Sequence, residues 1–369
     1  MKMVKSLLLG TAAGLVAMTG AQAADLPVKA KPVQYVKICS LYGAGFYYIP
    51  GTDVCLKIGG YVRQQIETGA TTRGVADIMG GAQGAQNRLT QNYGFLSRAH
   101  LTADARNQTE YGTLRSYMSI QLQNTDSTTD VAATDAAFIQ LAGFTMGLGN
   151  SFYDFHSFAP YGFANYRVGS NAGAAGPWAV AYTAQFGSGF SASISIEDNN
   201  LRRGLVIDTG VALAGNAAAT FGTVPTTDYH APQVPDIVGN LRIDQAWGSA
   251  QLMGALHLVG AQYYGANAAT NSNHPSDVWG YALGAGIKLN VPTGPGDTFW
   301  LQGDYAKGAQ GYVSQAGTIF NKFQGGGVGY GWAVDGVVGP TVGSSIELVT
   351  AWGVHGTYEH FWSKSWKTS

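Results

Sequence analysis

Three things are scarce in this 369-residue chain, and each scarcity removes a class of protein. Charged residues make up only 12 % of it, 21 basic against 22 acidic, too few for the solvated surface of an ordinary soluble enzyme or for a disordered polyelectrolyte. No block of lysine and arginine occurs, so nucleic acid is not an expected partner. Beyond residue 23 there is no run of about 20 apolar residues, so helices do not carry this chain through a bilayer. Cysteine is limited to Cys39 and Cys55, which reads as a bridge rather than a metal site, and no cofactor is expected. Glycine, by contrast, is abundant at 52 residues.

The N-terminus sets the compartment. Lys2 and Lys5 precede an apolar stretch from Leu7 to Met18 and then Ala21-Gln22-Ala23, the order of features in a secretory signal peptide cleaved after residue 23. Removing those two lysines leaves 19 basic residues against 22 acidic, a net charge of −3. Export frees the two cysteines to oxidise. A Cys39–Cys55 disulfide is therefore expected, closing the stretch "CSLYGAGFYYIPGTDVC" at the start of the first long strand.

Alternation fixes the fold class. From residue 54 onward Leu56, Ile58, Val62 and Ile66 share one face while Lys57, Arg63, Gln65 and Glu67 share the other, the signature of a two-faced strand. About twelve such segments follow: 54–68, 94–106, 111–123, 134–142, 143–151, 177–187, 189–197, 237–247, 249–260, 277–290, 297–307 and 345–361. Each is about ten residues or longer, enough for a tilted crossing. Short turns at 107–110, 187–189 and 291–296 take turns with long Gly/Asn/Thr-rich stretches at 69–93, 198–236 and 308–344. That plan predicts an all-β, antiparallel transmembrane β-barrel of the porin type. Tyr358, Phe361, Trp362 and Trp366 cluster at a strand end, where a girdle of interfacial rings belongs.

The stretches "KPVQYVKICSLYGAGFYYIPGTDVCLKIGGYVR", "TEYGTLRSYMSIQ", "DAAFIQLAGFTMG", "SFYDF" and "YEHFWSKSWKTS" resemble the general porins of alphaproteobacteria, over nearly all of the mature chain. The resemblance implies sixteen strands, a homotrimer in the outer membrane, passive diffusion of small hydrophilic solutes and ions, and a third extracellular loop folded inward, here about 152–176. Against that pattern two departures stand out. Leu148 occupies a position usually basic after "FTxG", and the chain stops after "WKTS" where relatives continue, so about twelve of sixteen strands are expected and the chain reads as C-terminally incomplete. The expected organisation is signal peptide 1–23, periplasmic segment 24–53 with the disulfide loop, and barrel 54–369.

The lumen face carries the candidate site. Arg98, His100, Asp104 and Arg106 share one face of the second long strand, Arg115 the matching face of the third, and hairpin pairing predicts Asp104 near Arg115. Lys57, Arg63 and Glu67 of the first strand extend that wall, and Asp154 is expected to face it from the loop. Opposed charges across a narrow aqueous section would set ion preference. Competing readings are weaker. Neither a G-x-S-x-G elbow nor an H-E-x-x-H helix occurs, so an enzyme is not expected, and "GVGYG" at 327–331 lacks the threonine and flanking helices of a potassium filter. A structural or adhesion barrel with a plugged lumen, or a non-functional truncated fragment, remains as the alternative class.

Overall fold

The computed structural model describes residues 37–68, 93–127, 129–156, 176–208, 229–264, 273–313, 319–321, 329–332, 334–339 and 341–369. The signal peptide, and loop residues 157–175, lie outside them. A short hairpin, β1 (Lys37–Ile38) and β2 (Tyr47–Tyr48), leads into β3 (Cys55–Thr68), β4 (Tyr93–Thr109), β5 (Gly112–Thr125), β6 (Thr129–Leu141), β7 (Phe144–Leu148), β8 (Trp178–Gly187) and β9 (Phe190–Glu197). After β10 (Leu205–Asp208) come β11 (Asp236–Gln245), β12 (Gly248–Val259), β13 (Val278–Asn290) and β14 (Thr298–Lys307). The chain ends through β15 (Ile319–Asn321), β16 (Gly329–Trp332), β17 (Val334–Val338), β18 (Ile346–Leu348), β19 (Thr350–Phe361) and β20 (Lys367–Thr368).

One fifteen-stranded sheet holds these together in chain order, β1 to β9, then β11 to β14, β19 and β20. Its ladders are antiparallel throughout, and the long strands fall within a few residues of the segments that alternation marks. The short strands inside the long connections escape a sequence reading. β10 pairs parallel with β17, and β17 antiparallel with β18, as a separate small sheet.

The usual burial pattern is inverted. Leu241, Leu252, Leu283, Leu301 and Val354 project outward and are between 41 % and 60 % exposed, whereas inward Gln251, His257, Gln302 and Asp304 are buried. Apolar side chains outside and polar ones inside is the arrangement of a barrel in lipid. Curvature follows from chain reach. The long connection between β7 and β8 follows Leu148, and Tyr153, five residues past it, touches Asp304 of β14. Five extended residues span about 17 Å and six strand spacings along a flat sheet about 29 Å, so without a fully stretched chain and side chains the contact calls for a sheet that curls toward the loop.

The disulfide loop forms a knob at the start of β3. Cys39 and Cys55 are disulfide-bonded with Cα atoms 5.9 Å apart, and Phe46 is buried against them. Its loop reaches the wall, for the Arg106 guanidinium lies 4.9 Å from the Phe46 ring centre and 5.5 Å from that of Tyr42. At the sheet margins, β2 covers only Cys55 and Leu56 of β3, and β20 covers only His360 and Phe361 of β19. Among the described residues, the remaining edges of β3 and β19 have no ladder partner.

Candidate functional site

The lumen face of β3 to β6 forms a basic wall. Asp104 accepts two bonds from Arg106, at 3.0 and 2.8 Å, and is held again by Arg115 at 3.1 Å. Arg115 also donates to Gln140 at 3.0 Å and lies over the stacked rings of Tyr117 and Phe138. One carboxylate shared by two guanidiniums leaves this cluster with one net positive charge. Farther along β3 Arg63 stands directly opposite Arg98 in the ladder. Arg98 donates to Gln123 at 2.9 Å and Arg63 to Gln65. His100 stacks on Tyr61 at 4.7 Å and lies 2.9 Å from Ser119 Oγ and 3.2 Å from Asp135. Lys57 sits over the Phe46 ring at 5.8 Å, and Glu67 pairs in register with Gly94.

The opposite wall receives the start of the connection between β7 and β8. Phe152 N–H donates to Glu197 of β9, Asn240 of β11 donates to the Phe152 carbonyl, Gln251 of β12 to the Tyr153 carbonyl, and His156 N–H to Gln302 of β14. The His156 ring lies on Trp300 at 4.5 Å, beside His355 at 5.4 Å, with Thr357 Oγ1 at 3.2 Å. Burial, then the neighbouring His355 ring, push His156 down to about 4, so it is neutral at ordinary pH. Two glycines make the docking possible. A Cβ on Gly284 would meet Tyr153 Oη at 2.8 Å, and one on Gly286 would strike the Phe155 ring. The loop therefore lies where β13 has no side chains.

Asp154 departs from the expected placement. It pairs with Arg202 at 2.9 Å, both side chains under a tenth exposed, rather than facing the arginines of β4 and β5. The reason is proximity on the docked side, because Tyr153 anchors the chain there and Arg202, which also donates to the Gly311 carbonyl, is the nearest cation. Beyond it the same wall is packed with polar groups. His257 binds Asp236 at 2.8 Å and Tyr229 Oη at 2.8 Å, and Tyr312 donates to Asp236 at 2.7 Å. The rings of Phe152, Tyr153 and Phe155 pack on the wall as the stretch "SFYDF" suggests, whereas Arg202, His156, Tyr61 and Asp135 escape a sequence reading. Arg202 lies in "NNLRRG", outside any alternating segment, and Asp135 enters at a register shift opposite Ser119 and Ile120 that breaks the odd-even count. Tyr61 alone had a signal, since it shares parity with Arg63.

Comparison with known proteins agrees with this architecture. The family described as "Porin subfamily" matches residues 25–369. Porin Omp2b of Brucella melitensis biotype 1 is 33 % identical over 270 residues, covering 67 % of this chain and 64 % of that protein. Porin Omp2b of Brucella suis biovar 1 is 32 % identical over the same length and shares. The matched region thus spans less than two thirds of these relatives. The outer membrane channel DcaP of Acinetobacter baumannii shares the fold with a TM-score of 0.54 at 13 % identity, over 86 % of this chain and 77 % of that one. With its apolar exterior, charged interior and a family match over nearly its whole length, the chain belongs to the alphaproteobacterial porin family.

Proposed function

We propose that this protein forms a water-filled outer-membrane channel for passive diffusion of small hydrophilic solutes and ions, as a homotrimer exported by its signal peptide. The observation that carries this reading is the docking of Phe152 to His156 on β9, β11, β12, β14 and β19, which supports a third loop, about 152–176, crossing the lumen. The passage would then run between that loop and the wall of Lys57, Arg63, Glu67, Arg98, His100, Asp104, Arg106 and Arg115. Family membership favours a channel over an enzyme. Planar-bilayer recording tests it, with ohmic steps and a reversal potential in a salt gradient as the expected result.

A second reading has its own observation. The buried knot of Arg202, Asp236, His257, Tyr312 and Asp335 fills part of the extracellular half and favours a plugged, structural barrel. Correctly inserted protein that never conducts would select it.

A further inference from the structure

Arg63 and Arg98 are directly opposite each other in the β3–β4 ladder, both facing the lumen. Like charges so placed repel, and their Cβ atoms are only about 5 Å apart. Arg106 and Arg115 share Asp104, Arg202 pairs with Asp154 and Arg242 with Asp244 at 2.8 Å, while Arg203 donates to the His230 carbonyl and lies over the Tyr229 ring. Arg63 and Arg98 instead find neutral amides, Gln65 and Gln123. Amide oxygens orient the two guanidiniums, and among the described residues no carboxylate forms an ion pair with either.

The next row of the same two strands is aromatic. Tyr61 pairs in register with His100, and the rings stack at 4.7 Å and 14°. Asp135 and Ser119 hold the imidazole from behind. Tyr61 keeps 48 % of its surface exposed, so a flat face stays open one step along the strand from the two guanidiniums. Forked N–H donors match the two oxygens of a carboxylate, and an aromatic face favours a planar body over a bare ion.

We infer that Arg63, Arg98, Tyr61 and His100 form a binding site for a small aromatic carboxylate, its carboxylate between the guanidiniums and its ring on Tyr61. This rests on the channel reading, of which it names a solute class. The opposed arginines cost folding stability that a bound anion restores, so the ligand is held in passing rather than merely admitted.

Benzoate is the probe, with acetate, inorganic phosphate and benzyl alcohol as comparisons. Thermal unfolding of the full chain refolded in detergent, at low ionic strength, is expected to rise with benzoate to saturation and to follow the mass-action form for one site. Acetate and phosphate should need at least tenfold more ligand, and benzyl alcohol should do nothing. Arg63→Gln and Arg98→Gln should each unfold at a higher temperature than the parent without ligand and lose benzoate response at least tenfold. Tyr61→Leu should weaken benzoate severalfold yet leave acetate unchanged, and Arg242→Gln should leave both. A benzoate response equal in Arg98→Gln and the parent, a response lost equally in Arg242→Gln, or phosphate as effective as benzoate would overturn the site. In bilayers benzoate should lower single-channel current. A protein that binds benzoate by unfolding temperature but never conducts defeats the channel reading alone, and one that conducts without saturable benzoate binding defeats this inference alone.

Discussion

The Tyr153 hydroxyl donates to Asp304 Oδ1 at 3.2 Å, joining a loop residue to a wall residue 151 positions away. The contact exists because Gly284 of β13 leaves the space between them open. Removing the hydroxyl alone, Tyr153→Phe, should cost about 1 kcal/mol. Filling the space should do more: Gly286→Leu drives a side chain into the Phe155 ring and should lift the loop, raising single-channel conductance with no loss of assembled protein. Unchanged conductance in that variant would place the narrowest section elsewhere.

Asp104 is the second point of leverage. Its side chain is 12 % exposed and neutralises half of the Arg106–Arg115 charge. Asp104→Asn should shift the reversal potential toward anions and destabilise the protein by about 3 kcal/mol or more, because two guanidiniums lose their shared partner. Arg98→Glu with Arg115→Glu should move the potential the other way.

Acid should release the docked loop before it unfolds the sheet. His156 is held down at about 4 against an ordinary value of 6.5, so the unfolded chain takes up its proton first. Its contribution is whole above about 6.5 and is lost as pH falls toward about 4. Among the described residues His355, Trp300, Thr357 and Gln302 meet it from the wall. Hydrogen exchange at 151–156 should speed up over that interval, and His156→Asn should abolish the pH dependence.

A different pH window belongs to Asp297, in the turn between β13 and β14. Burial pushes its carboxyl up, yet bonds from Phe361 N–H, Thr293, His360 and Tyr358 outweigh that and hold it well below the ordinary 3.8. Its stabilising effect is complete above about 3.8 and falls away in stronger acid. Asp297→Asn should unfold at a lower temperature than the parent near neutral pH and converge with it as the medium becomes strongly acid.

Reduction of the Cys39–Cys55 bond should cost about 3 kcal/mol in the chain-entropy account for a loop of this length. Because the closed loop sets Phe46 and Tyr42 over Arg106, the reversal potential should shift with it. A shift absent after reduction would show that the knob does not touch the permeation path.

Which parts of this molecule could be read in advance follows from the range of the forces involved. Strand positions were legible because the alternation of Leu56, Ile58 and Val62 with Lys57 and Arg63 is local and is repeated by every neighbour. The Asp104–Arg115 contact was legible because a short hairpin keeps its two strands close to one register, although the turn falls at 110–111 rather than at 107–110 and Asp104 stands opposite Tyr117, diagonal to Arg115. Asp154 was not, because its partner Arg202 is 48 residues away in a connection without period, and the choice between two basic surfaces depends on where Tyr153 docks. The sheet of β10, β17 and β18 was equally silent, since strands of three to five residues carry too little pattern.

The distances along the chain imply an order of assembly. Ladder partners lie next to one another in sequence, so hairpins such as β4–β5 can zip one onto the next at little entropic expense. The Tyr153–Asp304 and His156–Thr357 contacts must instead close circuits of 151 and 201 residues, and neither wall surface exists until β13, β14 and β19 are in place. Loop docking is therefore expected last in folding, so that the inside of the sheet stays emptier until Phe152 to His156 settle on it.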